Sequence, residues 1–130
     1  MQLSSFLRTV LKLDAASCLL MSAALAGGSR VLSQPLGLPA AFLFESGVLL
    51  AIVGLYILWL GTREETAPVL AWVVVIGNIG WALASVAALT MLPVVAGLGL
   101  AAVVGQAAAV LLFAALEWRG VRESAWASAR

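Results

Sequence analysis

Charged residues occur in a few short segments of the chain, and long apolar stretches separate them. Positions 66–116 contain no charged residue. A helix crosses the hydrocarbon core of a bilayer in about 20 residues, so these 51 positions are too many for one transmembrane span and suit two. Proline lacks the backbone donor that a continuing helix needs, and the stretch is therefore predicted to break at Leu92–Pro93.

Four spans, forming one domain over residues 1–130, follow from the same pattern. The second span opens after Pro39 and closes at Gly61, an asymmetry typical of helix ends. Gly and Pro residues make the segment 27–40 a predicted turn-rich linker. The predicted fold is an all-α membrane protein in which four transmembrane helices form an antiparallel bundle. The expected spans are approximately residues 11–26, 40–60, 69–91 and 94–116.

The composition supports this fold and excludes other classes of protein. Hydrophobic residues make up 64% of the chain and charged residues 10%, and the mean hydropathy is +1.13. A soluble domain has about half apolar and about a quarter charged residues. A net charge of +1, without a run of Lys or Arg, argues against binding to nucleic acid. The sequence therefore predicts an integral membrane protein that is surrounded by the lipid bilayer.

Few residues could carry catalysis or hold a metal. The chain has no histidine and a single cysteine, Cys18, which excludes a histidine base, His-ligated metals and a multi-cysteine metal site within this chain. The sequence also lacks a nucleophile beside a base and a glycine-rich phosphate loop before a helix. We expect no enzymatic activity, no cofactor and no metal site.

The basic residues are distributed unevenly between the two ends of the predicted bundle. With four spans, only Arg30 falls on one side, and the other six fall together. Short cytoplasmic loops carry such an excess of Lys and Arg, so both termini are predicted to be cytoplasmic. Trp59, Trp72 and Trp118 fall at the same span ends, where indole rings favour the headgroup level. The six basic residues are Arg8, Lys12, Arg63, Arg119, Arg122 and Arg130.

The first span has a competing interpretation. Arg8 and Lys12, an apolar stretch and Ala24-Leu25-Ala26 also resemble a signal peptide with its cleavage site, and cleavage would leave three spans. However, Asp14 interrupts the start of the apolar stretch, and small residues are frequent in every span. We therefore expect the first span to be retained.

Two parts of the chain resemble each other. The segments 59–64 and 118–123 share Trp, Gly, Arg and Glu at an offset of 59. Asp14 and Asn78 correspond at an offset of 64, and the longer linker of the first half accounts for the difference. One hypothesis is a duplicated two-helix hairpin. The alternative is convergence, because Trp, Gly and Arg are each favoured at a cytoplasmic helix end.

Small residues recur along one face of three spans, and helices in lipid need such residues to approach closely. We expect the stripes of the third and fourth spans to pack on each other, or one stripe to face a second copy of the chain. The predicted helix-packing residues are Gly47, Gly54 and Gly61 in the second span, Gly80, Ala84 and Ala88 in the third, and Gly97, Ala101, Gly105 and Ala109 in the fourth.

Five residues within the spans are candidate functional residues, since polar groups inside a membrane are costly and often functional. They are Glu45, Asp14, Asn78, Gln106 and Trp81. Asn78 and Gln106 are expected near the bilayer midplane, joined by a hydrogen bond between the third and fourth spans. The alternative for these amides is a ligand site.

The two carboxylates have a structural and a functional interpretation each. Glu45 lies about five residues into the second span from the outer side, where it pairs with Arg30 or acts as a functional carboxyl. Asp14 lies near the cytoplasmic end of the first span. Its expected partner is a cytoplasmic arginine, and its alternative role is a proton-coupled carboxylate.

A set of short motifs resembles a group of small four-span bacterial inner-membrane proteins of uncharacterised function. The resemblance covers most of the chain and implies the architecture and the bacterial inner (plasma) membrane, without an activity. The motifs are Leu11-x-Leu13-Asp14-Ala15, Leu36-Gly37-Leu38-Pro39, Asn78-x-x-Trp81-x-x-Ala84-Ser85, Gln106-Ala107 and Trp118-Arg119-Gly120.

Three functions fit these observations. The first is a non-enzymatic accessory or structural subunit that acts through helix–helix contacts with a membrane-protein partner. The second is a small proton-coupled transporter that works as a homodimer and uses Glu45 or Asp14. The third is a binder of a lipid or quinone-like ligand between Asn78, Trp81 and Gln106. The sequence favours the accessory subunit, because the chain has short loops and several small-residue stripes, and both suit a protein that acts through helix–helix contacts.

Overall fold

Helices account for nearly all of the chain. The computed structural model describes residues 1–92 and 97–130, and within these ranges it contains five helices and no strand. Four of the helices are long and apolar enough to cross a membrane, which confirms the predicted all-α bundle. The predicted break at Pro93 and the predicted start of the last span at Val94 lie outside the described residues. The helices are α1 (Ser5–Gly27), α2 (Ser29–Leu36), α3 (Ala40–Gly61), α4 (Pro68–Met91) and α5 (Leu98–Ser128).

Helix α1 begins at Ser5, and the predicted first span, from about residue 11, is the continuation of this helix. The hydroxyl of Ser4 accepts a hydrogen bond of 3.1 Å from the backbone N–H of Leu7, which satisfies one of the free donors at the helix start. Leu7 is fully buried. The capping hydroxyl and this buried side chain explain why the helix extends beyond the purely apolar stretch.

Helix α5 continues to Ser128, beyond residue 116, where the sequence predicted the end of the span and the start of a short polar tail. Val121 and Ser124 are buried within the extension, and the Ser124 hydroxyl accepts from the backbone N–H of Ser4 over 3.0 Å. On the outer face Arg119 pairs with Glu123 at 2.8 Å, one helical turn away. The polar tail is therefore an amphipathic continuation of the helix.

The predicted turn-rich linker contains the short helix α2. This helix ends at Gly37, whose φ of 69° lies in the left-handed region that glycine adopts without steric cost. The hydroxyl of Ser33 then donates to the carbonyl oxygen of Leu38 over 2.6 Å. The turn residues thus end a helix within the linker rather than prevent one.

Helices α1 and α3 pack closely along most of their lengths through the glycines of α3. A Cβ atom added at Gly47 would lie 2.6 Å from the backbone nitrogen of Ala26, and one at Gly54 would lie 3.0 Å from the side chain of Leu19. At Gly61 the nearest atom, Cβ of Leu11, would be 3.2 Å away. Gly47 leaves no room for a side chain, and at Gly54 and Gly61 the neighbouring atoms would have to move by a few tenths of an ångström. The three glycines therefore allow the close approach of the two helices.

The small residues of α4 and α5 behave differently from the prediction. Within the described residues, a Cβ atom added at Gly80, Gly97 or Gly105 would meet no atom within 4 Å. Ala101 and Ala109 are exposed on the same face of α5 as Gly105. The buried residues of these helices include larger side chains such as Val75 and Val121. The predicted glycine stripes therefore do not form the contact between α4 and α5, and Gly80, Gly97 and Gly105 line open surface.

The two chain termini and the loop between α3 and α4 meet at one end of the bundle. The terminal amino group of Met1 donates to the carbonyl oxygen of Thr66 over 3.0 Å. The backbone N–H of Gln2 donates to the hydroxyl of Ser128 over 3.0 Å, and that of Leu3 donates to the Glu64 carbonyl oxygen over 2.8 Å. The two termini therefore lie on the same side of the bundle, as an even number of spans requires.

Candidate functional site

Three polar side chains from three different helices meet inside the bundle. They are Asp14 of α1, Asn78 of α4 and Glu117 of α5, and we call them the acid–amide cluster. The side-chain nitrogen Nδ2 of Asn78 donates to Oδ2 of Asp14 over 2.8 Å and to Oε2 of Glu117 over 2.9 Å. One amide group thus bridges two carboxylates that come from opposite ends of the chain.

The acid–amide cluster is almost completely shielded. Asp14 is 1% exposed, Asn78 6% and Glu117 0%. Because both carboxylates accept from the same nitrogen atom, their accepting oxygens lie within a few ångströms of each other. Oε1 of Glu117 is buried and has no hydrogen-bond partner among the described residues. A buried acceptor without a partner costs about 1–3 kcal/mol, so this arrangement is expensive for the fold.

The local sequence explains why Asp14 points inward. The series Leu7, Leu11, Asp14 and Cys18 advances by three or four positions at each step, and all four residues are buried, so Asp14 lies on the packed face of the helix. The thiol of Cys18 lies one turn along and donates to Oδ1 of Asp14 over 3.7 Å. This thiol is the second donor to the Asp14 carboxylate.

A second polar network joins α4 and α5 next to the acid–amide cluster. The indole N–H of Trp81 donates to Oε1 of Gln106 over 3.0 Å, and Nε2 of Gln106 donates to the hydroxyl of Ser85 over 2.7 Å. Ser85 in turn donates to the backbone carbonyl oxygen of Trp81 over 2.8 Å. Gln106 therefore fixes the orientation of the Trp81 ring.

Helices α3 and α4 are separated by an apolar cavity of about 360 Å³. Asn78 and Trp81 lie on its α4 wall, Tyr56 lies on its α3 wall, and Cys18 reaches it from α1. The exposed side chains of Ile52 and Val73 also line this cavity, which shows that it opens sideways between the two helices. The remaining lining residues are Leu50, Val53, Ile57, Val74, Gly77 and Val110.

A second cavity of about 370 Å³ continues between the same two helices on the other side of Trp81. Glu45 lines it from α3, and Ala84 and Ser85 line it from α4. Because Trp81 borders both cavities, we treat them as one feature and call it the α3–α4 cleft. Ala84 thus contributes to the wall of this cleft and not to a contact between α4 and α5.

The structure brings four of the five predicted functional residues into two neighbouring networks. Asp14 and Asn78 contact each other directly, and Trp81 and Gln106 contact each other directly. The expected hydrogen bond between Asn78 and Gln106 is replaced by these two separate sets of partners. Glu45 is exposed and lies apart from both networks, at the far end of the cleft.

The expected ion pairs of the two carboxylates are not found. Within residues 1–92 and 97–130, the pair between Arg119 and Glu123 is the single salt bridge. Asp14 accepts from an amide and a thiol rather than from a cytoplasmic arginine. Asp14 is buried on the packed face of α1, where these neutral donors reach it.

Glu117 is the functional candidate that sequence reasoning missed, because it appeared to belong to the polar tail. A signal for it does exist in the sequence. No basic residue lies three or four positions from Glu117, whereas Glu123 has Arg119 one turn away. Glu117 also follows the buried Ala114 and precedes Gly120, so it continues the packed face of α5.

The comparisons with known proteins give no family or relative. No family model, no curated protein and no solved structure matches the chain. Within the part of the chain that the structure describes, no group of three metal-ligating side chains is placed to hold a metal ion. The geometry of the acid–amide cluster and of the cleft is thus the basis on which a function can be argued.

Proposed function

We propose that the protein is a small, non-enzymatic, proton-coupled transporter in which Asp14 and Glu117 hold the exchanged proton. The observation that carries this proposal is the bridge from Nδ2 of Asn78 to both carboxylates, at 2.8 Å and 2.9 Å. Intramembrane carboxylates that serve no ion pair are a recurring feature of proton relays in transporters.

The electrostatics of the cluster support a bound proton. Two carboxylates that share one site repel each other, and burial weakens the screening by water. The donors that reach them are neutral, namely the amide of Asn78 and the thiol of Cys18. A proton held between Asp14 and Glu117 removes one negative charge. Uptake and release of this proton would alter the contacts between α1, α4 and α5, which is the coupling that transport requires.

The site of action that we propose is the bacterial inner membrane, with both termini in the cytoplasm. The asymmetry of the basic residues supports this orientation. Arg8 and Lys12 precede the apolar part of α1, and Arg63 lies in the loop between α3 and α4. These segments lie at the end of the bundle where the termini meet.

Infrared difference spectroscopy tests whether the pair carries a proton. The purified protein in lipid nanodiscs is compared in acidic and alkaline buffer, and the carbonyl band of a protonated carboxylic acid is followed. We expect this band at neutral pH and expect Asp14→Asn and Glu117→Gln each to shift or remove it. Glu123→Gln is the matched control on α5, since the Glu123 carboxylate pairs with Arg119 at the surface. Fully ionised carboxylates at neutral pH in the intact protein would overturn the proposal.

An accessory role in a complex is a second candidate, supported by a different observation. Ala101, Gly105 and Ala109 form an exposed small-residue face on α5, which suits close approach of another transmembrane helix. For the accessory role, the partner would be another membrane protein. Native mass spectrometry of the protein extracted gently from its host distinguishes the two. A complex with a different protein supports the accessory role, whereas a homodimer supports the transporter.

A further inference from the structure

The polar groups that line the α3–α4 cleft have their hydrogen-bond donors engaged elsewhere. The indole N–H of Trp81 donates to Gln106 over 3.0 Å. The hydroxyl of Tyr56 donates to the carbonyl oxygen of Leu70 over 2.9 Å. Both N–H bonds of the Asn78 amide point to carboxylates of the acid–amide cluster. A ligand in the cleft therefore finds few donors.

Acceptors, in contrast, remain available in the cleft. The hydrogen bonds of the Asn78 side chain among the described residues both involve its nitrogen, so its carbonyl oxygen Oδ1 is left as an acceptor. The residue lines the cleft and is 6% exposed. Glu45 lines the other end of the cleft with its carboxylate, and so does Ser46, whose hydroxyl can donate or accept. No Lys or Arg is among the residues that line either cavity.

The charge of the cleft has one sign. Asp14 and Glu117 lie directly behind Asn78, at the end where the lining is most deeply buried. Glu45 adds a carboxylate at the other end. Anionic ligands are repelled by this arrangement, and ligands that carry only acceptors, such as quinones, find no available donor at the buried end. A cationic group that bears N–H donors complements both the charge and the hydrogen-bonding capacity.

We propose that the α3–α4 cleft binds an amphipathic amine in its ammonium form. The ammonium N–H groups donate to Oδ1 of Asn78, and the apolar body lies between the aliphatic walls formed by Leu50, Val53 and Val74. The rings of Tyr56 and Trp81 border the same space and favour a cation or an aromatic body. A volume of about 360 Å³ lies within the range of small-molecule sites, about 300–1,000 Å³.

The role of the amine as a transported substrate rests on the proposed function. Its binding to the cleft is tested without transport. The probe is 1-naphthylmethylammonium, and three relatives with the same ring system isolate its properties. The N-trimethyl analogue keeps the charge and lacks the N–H donors, 1-naphthylmethanol lacks the charge, and 1-naphthoate reverses it. Binding to the full chain in zwitterionic nanodiscs is measured by equilibrium dialysis, and empty nanodiscs give the partitioning into lipid.

We expect saturable binding of the ammonium probe and no saturable binding of the naphthoate. The trimethyl analogue and the alcohol should each bind at least about tenfold more weakly than the ammonium probe. The trimethyl analogue loses the charge-assisted hydrogen bond, and the alcohol loses the charge. Equal binding of the alcohol and the ammonium would overturn the proposal and make the cleft a plain apolar groove that lipid chains fill. Absence of saturable binding by every probe would overturn it too.

Two matched variants show where the probe binds. Val53→Trp fills the cavity from α3, whereas Leu55→Trp places the same ring on the exposed face of the same helix. We expect Val53→Trp to abolish saturable binding and Leu55→Trp to preserve it, with unchanged helical circular dichroism in both. Unchanged binding in a folded Val53→Trp protein would overturn the location.

The two proposals can fail separately. If the ammonium probe shows no saturable binding while the protonated-carboxyl band is present, only the proposed substrate class is rejected. Saturable amine binding to a protein whose carboxylates are fully ionised at neutral pH would reject the proton pair alone.

Discussion

Asp14 and Asn78 are 64 positions apart in the chain, and their side chains are joined by a hydrogen bond of 2.8 Å. This separation is the offset at which the internal resemblance makes the two residues equivalent. If two repeats are related by a two-fold axis, equivalent residues can contact each other only next to that axis. The duplicated-hairpin hypothesis therefore places the hydrogen bond between Asp14 and Asn78 next to the axis that relates the two hairpins. The symmetry is incomplete, however. Gly61 packs on Leu11 within its own helix pair, whereas Gly120 packs on Leu7 of the other pair.

Replacing the bridging amide should destabilise the protein. Asn78→Leu removes the donor that both carboxylates share, and each unsatisfied buried acceptor costs about 1–3 kcal/mol. Thermal unfolding in detergent measures this loss.

A double-mutant cycle supplies the control for this prediction. Asn78→Leu should cost less in an Asp14→Asn background, because one of the two charges that the amide serves is already absent. Equal costs in both backgrounds would show that Asn78 acts only through its shape.

Alanine substitution should separate the glycines that set the α1–α3 contact from those on open surface. At Gly47 the new methyl group would lie 2.6 Å from the Ala26 nitrogen, and such overpacking costs about 1–3 kcal/mol. At Gly105 it would meet no described atom within 4 Å, and the higher helix propensity of alanine should leave the stability unchanged or raise it by up to about 1 kcal/mol. Unfolding midpoints in detergent compare the two variants. A marked loss on Gly105→Ala would instead reveal a partner helix on that face.

Removal of the Gln106 side chain should release the Trp81 indole. Gln106→Leu takes away the acceptor of the 3.0 Å hydrogen bond, and we expect the indole N–H resonance of Trp81 to move upfield and to exchange faster with solvent. Nitrogen-15 NMR of the tryptophan indoles measures this, with Trp81→Phe to assign the signal. Ser85→Ala is the milder comparison, since it removes only the partner of Gln106 Nε2. An unchanged signal in Gln106→Leu would contradict the contact.

Cysteine pairs test the shared position of the termini. In a Cys18→Ser background, Gln2→Cys with Ser128→Cys should form a disulfide on mild oxidation, because the Gln2 nitrogen lies 3.0 Å from the Ser128 hydroxyl. Gln2→Cys with Arg30→Cys is the control, since Arg30 belongs to α2 at the other end. Cross-linking of the control pair alone would contradict the arrangement.

Arg30→Cys and Ser128→Cys, each introduced alone into the Cys18→Ser background, test the orientation in the membrane. A membrane-impermeant maleimide added to intact bacteria should label Arg30→Cys, and it should label Ser128→Cys only after permeabilisation. The reverse pattern would place both termini outside.

The sequence was sufficient for the span count because each span is locally apolar, and a break between spans needs only a proline or a charge. It was sufficient for the glycines of α3 as well, whose spacing matches one helix face. The sequence could not assign partners. Asn78 and Gln106 each had several acceptors within reach, and the choice depends on how α4 rotates about its axis. Glu117 was missed because a charged residue at the end of an apolar stretch also fits a cytoplasmic tail. The lack of a basic residue one turn away was the available signal, and the continuation of α5 beyond Glu117 gives that signal its meaning.

The sideways opening of the α3–α4 cleft determines how any occupant would be measured. Ile52 and Val73 flank the opening and are 63% and 52% exposed, so in a membrane the opening faces acyl chains and not water. An occupant would arrive from the bilayer, and its relevant concentration is its mole fraction among the lipids. Affinities expressed per volume of buffer would then change with the amount of lipid in the sample. The same affinities expressed per lipid would remain constant.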